Sequence, residues 1–191
     1  KQSMSTIIAR LDASKGNPDA YVELGNGFKR IADAENGVWM PRYYQAYCLI
    51  MQSMFVKKDQ VDGLLDQADE ILGDVSAKVK NDEVMCLQAL SQSTRISVDP
   101  ASRGMKYGPA SQKFLDIAQQ VNPENPRVYF LKGQNAFYTP EQFGGGKKKA
   151  EAFYQKAIEK FEKQKPATDF SPRWGEQIAR QMLAQCAEPT K

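Results

Sequence analysis

Residues 59–76 read DQVDGLLDQADEILGDVS, and this stretch decides the fold class. Val61, Leu64, Leu65, Ala68, Ile71, Leu72 and Val75 recur at three- and four-residue steps, the spacing of one face of an α-helix. Asp59, Asp62, Asp66, Asp69, Glu70 and Asp74 fall outside the stripe, so the segment predicts a helix with one buried face and one acidic, solvated face. A calcium loop is excluded, because an EF-hand alternates oxygen ligands around a glycine and these acids follow helical spacing. Outward from this helix, no stretch sustains the period-two alternation of Val, Ile and Thr that marks a strand. The reading is all-α.

The helix starts are marked by proline. Pro18, Pro41, Pro100, Pro126, Pro140 and Pro172 each suit a first turn, where the missing N–H has no intrahelical partner to lose. Asn17, Asp99, Asn125 and Ser171 precede four of them as capping residues, and Thr139-Pro140-Glu141-Gln142 has capping-box spacing. The segments are 3–14, 18–34, 41–56, 59–78, 82–98, 101–121, 126–138, 147–164 and 172–186, with Gly108-Pro109 expected to kink or split the sixth. Alternate helices recur with a period of about 40 to 46 residues, one helical hairpin each time. That predicts an α-solenoid of four antiparallel hairpins (1–40, 41–80, 81–125, 126–168) closed by a capping helix, forming one domain over 1–191.

The chain has 191 residues, 41% of them hydrophobic, enough to bury a core. Lys and Arg number 26 against 23 Asp and Glu, and a net charge of +3 is too small for general nucleic-acid binding. Histidine is absent, which removes the usual general base of Ser and Cys hydrolases and every His-containing metal site. Cys48, Cys86 and Cys186 lie far apart in helical segments, so they read as small hydrophobes, not as a metal knuckle or disulfide framework. No apolar run approaches the ~20 residues of a membrane span. No catalytic constellation, metal site or cofactor motif emerges. The chain begins with Lys1, which leads to the expectation of an exported protein that has lost its leader, or of a trimmed chain.

Two local features carry candidate chemistry. Phe143-Gly144-Gly145-Gly146-Lys147-Lys148-Lys149 lacks the spacing and Ser/Thr of a phosphate loop, and a helix precedes it in place of a strand. It reads as a turn with glycines at positive φ and Phe143 tucked beneath, or as a looser anion site at Gly144, Gly145, Gly146 and Lys147, aided by Arg127. The lysines from Lys147 to Lys165 are interrupted by Glu151, Glu159 and Glu162, which suits a solvated face; weak head-to-tail self-association with the acidic helix is conceivable. The second feature is a stripe. If Cys48, Gln88 and Gly133 pack on partner helices, Gln45, Gln52, Met85, Gln92, Phe130 and Phe137 share one face. Arg42 and Arg127 lie one turn earlier, and Gln134 borders the face. Amides, Arg and aromatic surface suit an extended protein or peptide segment. Trp39 and Trp174 sit beside helix starts and read as packing anchors.

Asp116-Ile117-Ala118-Gln119-Gln120-Val121-Asn122-Pro123 resembles the close of a tetratricopeptide repeat. Tyr129, Gly133, Ala150, Tyr154 and Ala157 resemble its aromatic and small positions; Gly133 and Ala150 would let two helices approach while Tyr154 fills the groove. Arg103–Gly108, Phe143–Gly146 and Pro172–Glu176 are similar to strings in a group of bacterial, generally exported tetratricopeptide-like proteins. The resemblance implies a right-handed superhelix with a concave peptide-binding face, an extracytoplasmic or periplasmic location and no enzymatic activity. The expected function is therefore a non-enzymatic adaptor for a protein or peptide. The alternative is a binding protein for a small anionic ligand using Gly144–Lys149.

Overall fold

The computed structural model describes residues 3–14, 16–35 and 37–188. Among the described residues there are nine α-helices and no strand: α1 (Met4–Ser14), α2 (Pro18–Ala34), α3 (Trp39–Ser53), α4 (Lys58–Ser76), α5 (Asp82–Ile96), α6 (Pro100–Val121), α7 (Pro126–Tyr138), α8 (Lys147–Lys163) and α9 (Glu176–Ala187). No described helix is long and apolar enough to cross a membrane.

The caps act as the sequence suggests at two starts: the Asn17 and Asn125 side chains accept from the N–H groups of Asp19 and Arg127. Asn81 caps α5 in the same way. Two expectations are corrected. Thr139–Gln142 opens only a 3₁₀ turn, Glu141–Phe143, because Gly144 leaves it at φ 80°. Pro172 does not begin a helix; its carbonyl accepts from buried Arg127, and α9 starts only after Gly175, whose φ is 109°. Helix α6 runs unbroken through Gly108-Pro109.

Successive helices pack side by side, and α3, α5 and α7 also touch in sequence, forming a continuous layer. The apolar stripe of α4 is buried through Val61, Leu65, Ala68, Leu72 and Val75. Its acidic face is less solvated than the sequence suggests. Asp62, Asp66 and Asp69 converge on the buried Arg95 guanidinium at 3.2, 2.7 and 2.9 Å, and Asp62 also holds Arg103 at 2.8 Å.

The α7–α8 contact has the expected form. Ala150 and Tyr154 are fully buried, and a Cβ on Gly133 would lie 2.6 Å from the Tyr154 ring. Gly133→Ala is therefore expected to lower stability by about 1–3 kcal/mol through overpacking. Urea denaturation reads this, and an unchanged midpoint would contradict the close approach.

Candidate functional site

The connector between α8 and α9, residues 164–175, has no regular structure except turns, and it crosses back over the helical layer. Four hydrogen bonds fasten it to α3 and α7, one of them a 3.5 Å donation from Arg127 to the Gln164 side chain. The Tyr44 hydroxyl donates to the Phe170 carbonyl at 2.8 Å, Arg127 donates to the Pro172 carbonyl, and the Trp174 indole N–H donates to the Tyr43 oxygen at 2.8 Å.

Beneath this strap lies a buried polar hub. Arg127 is wholly inaccessible, pairs with Glu83 at 3.0 Å, and lies over the Trp174 and Phe161 rings at 5.3 and 5.5 Å. Asn125 donates to the same Glu83 oxygen at 3.0 Å, and the Tyr43 hydroxyl donates to the other at 3.5 Å. Burial pushes the Glu83 carboxyl upward, with Arg127 opposing. The hub thus fixes Trp174 by its edge and by one face.

Trp174's other contacts open onto a cleft of about 300 Å³, lined by Leu11 and Asp12 of α1, Tyr21 of α2, Tyr44 and Tyr47 of α3, Arg173–Gly175, and Gln177 and Ile178 of α9. Tyr47 stacks on Trp174 with centroids 5.6 Å apart and planes at 28°, and Phe130 meets the indole at 6.2 Å. Tyr44 stacks in turn on Phe28 at 5.0 Å. The rim carries charge: Arg173 and Asp12 face each other at 4.0 Å. Burial raises the Asp12 carboxyl, with Arg173 pulling the other way. Desolvation also holds Tyr44 and Tyr47 well above the usual phenol range, so both are neutral phenols. The thiol of Cys48, beside Tyr47, is pushed up to about 12 by burial. Chemically, the cleft offers aromatic surface, neutral hydroxyls and one cation loosely paired with one carboxylate.

Of the stripe inferred from sequence, two members are buried and the others are half-buried on α3, α5 and α7. Arg127 and Phe130 come together, but inside the molecule under Trp174. Arg42 pairs with Asp33 at 2.8 Å and donates to Gln45, and Gln92 donates to Asp69 at 3.0 Å. Gln52 lines a separate groove of about 290 Å³ between α3 and α4. Met85, Gln134 and Phe137 are half-buried, Phe137 lying edge-on to Tyr138 at 5.2 Å.

The glycine-lysine turn is also occupied by its own chain. The N–H groups of Gly144, Gly145 and Gly146 donate to the carbonyls of Glu141, Pro140 and Ala136, while Lys147 and Lys149 donate to Glu188 and Gly144. Gly144 and Gly146 take positive φ as expected, but Phe143 is 68% exposed, not tucked beneath. Missed from sequence are Asp12, Tyr21, Tyr44, Tyr47 and Arg173, although the Tyr44–Tyr47 step of three residues on an amphipathic helix was a visible signal.

Neither a family model nor a curated protein matches the chain. Among solved structures it is similar to the HusA haemophore from Porphyromonas gingivalis, at 37% sequence identity and a TM-score of 0.88, over 96% of this chain and 90% of that one. The chain belongs to the HusA family. The tetratricopeptide likeness stays a likeness of layout. Membership in the HusA family overturns the expected adaptor function and with it the protein or peptide partner, because the relative is a haemophore and not a peptide scaffold.

Proposed function

We propose that this HusA-family chain is a non-enzymatic binder of haem or a related tetrapyrrole, held in the cleft between α1–α3 and the strap. The kinship to a haemophore at 37% identity carries the reading, and the cleft supplies a fitting surface. Tyr47 and Trp174, stacked on one another, line the cleft with aromatic surface that suits a flat macrocycle, and Arg173 at the rim suits a propionate carboxylate. A cleft of about 300 Å³ is at the small end for ligand sites, so one edge of the macrocycle would remain in solvent. The small-anion alternative is thereby kept, with the ligand moved from the Gly144–Lys149 turn, whose amides are internally bonded, to the cleft. An extracytoplasmic location belongs to the same proposal.

We also infer that the helices stack as hairpins in a superhelix. Tyr43, Glu83, Arg127 and Pro172 are linked in series by hydrogen bonds at separations of 40, 44 and 45 residues, one link per expected repeat.

Haem itself would arrive as cargo. Iron ligands of the usual kinds are His, thiolate, Met or Tyr. The chain has no His, and no Met or Cys lines the cleft, which leaves Tyr21, Tyr44 and Tyr47 as the lining residues of a ligating type. The aromatic lining and Arg173 fit the macrocycle and its carboxylates, and to these we assign recognition. Titration followed in the Soret band is expected to show saturable haem binding, with metal-free protoporphyrin IX binding within about tenfold, one power of ten being about 1.4 kcal/mol. No saturable change with either would overturn the function, and binding of haem alone would overturn recognition without iron.

A further inference from the structure

Asp12 and Arg173 are the two charged residues in the described lining of the cleft, and they belong to different parts of the chain: the last turn of α1 and the strap. Their side chains are about half-exposed, at 45% and 54%, and their charged atoms are 4.0 Å apart, the outer limit of an ion pair. The pair is loose. Arg173's other contact is a 3.4 Å donation to the Asp169 carbonyl, which leaves guanidinium N–H groups for an incoming acceptor. With both side chains charged the cleft wall is neutral overall, so an anion entering it meets an acid already beside the cation.

We propose that Asp12 is a specificity-determining residue that competes internally for Arg173, occupying the place of a ligand carboxylate and so restraining how tightly anionic tetrapyrroles bind. This rests on the tetrapyrrole reading above. Among the described residues the Asp12 side chain makes no hydrogen bond, its one charged contact being Arg173, and the aromatic walls are Tyr47 and Trp174 stacked on each other. Its removal leaves Arg173 with an unopposed charge and takes away the repulsion of a second carboxylate. A role in holding the strap to α1 would act equally on every ligand. Competition acts only on ligands that carry carboxylates.

The test uses metal-free protoporphyrin IX, a dicarboxylate, beside its dimethyl ester, which has the same macrocycle without charge. Both are titrated into wild type, Asp12→Asn, Arg173→Gln and the double variant. Asp12→Asn is expected to tighten the diacid roughly threefold to fivefold, the range of an exposed pair, and to leave the diester unchanged. Arg173→Gln weakens the diacid, and in its background the Asp12→Asn gain shrinks. Unchanged or weaker diacid binding by Asp12→Asn, or an equal change for the diester, would overturn the competition while leaving the tetrapyrrole function intact. Failure of wild type to bind either porphyrin would end the parent reading and this one with it.

Discussion

Arg127→Met is expected to destabilise the fold by about 3–5 kcal/mol, because it leaves Glu83 buried without its counter-charge. Glu83 has 9% exposure and Arg127 none, so water cannot replace either partner. The same substitution frees the Pro172 carbonyl and removes the cation from the Trp174 face, so the strap loses a fastening as well. Urea denaturation followed by circular dichroism reads the loss. The double variant Arg127→Met, Glu83→Leu is expected to recover much of it, since an apolar pair of similar volume carries no desolvation penalty. A single variant within 1 kcal/mol of wild type, on the scale of an exposed pair, would show that the hub is solvated and does not hold the strap.

Trp174→Ala is expected to weaken tetrapyrrole binding roughly thirtyfold or more, the scale of a central aromatic anchor worth about 2 kcal/mol. The indole stacks on Tyr47, meets Phe130 and lines the cleft, so its loss removes aromatic surface, frees Tyr47 from its stack and widens the site. The other tryptophan supplies the control. Trp39 packs edge-on to Tyr43 at 5.9 Å and does not line the cleft, so Trp39→Phe is expected to bind as wild type does. Equal loss in both variants would mean that the effect is general destabilisation and not a contact.

Much of the fold is legible in the sequence because its determinants are local. Asn17-Pro18 and Asn125-Pro126 each place a side-chain acceptor and a donor-free residue side by side, and helices start there. The stripe of α4 names its buried residues, as Gly133 and Tyr154 name a close helix contact. The failures are long-range. Pro172 has the local look of a helix start, but its carbonyl is taken by an arginine 45 residues away. Arg127 reads as a surface residue because lone arginines are seldom buried, and only the fold brings Glu83 and Asn125 to it.

The cleft was hidden for the same reason. Its walls come from α1, α2, α3, α9 and a strap whose tryptophan bonds a tyrosine 131 residues earlier. The turn at Gly144–Lys149 reads as an anion site because glycine and lysine are locally suggestive, yet its amides close the turn on itself. Local pattern reports which groups are present, and hydrogen bonding in the fold decides which of them are free.

The most direct test of the tetrapyrrole cleft is a two-dimensional ¹⁵N–¹H NMR titration of the chain with metal-free protoporphyrin IX, watching the indole N–H signals of Trp39 and Trp174. A large ring-current shift of the Trp174 signal, saturating at one equivalent, is expected, with a much smaller one for Trp39. Saturable binding that leaves Trp174 in place while moving the amides of Gly144–Lys149, or no shift at all, would contradict it.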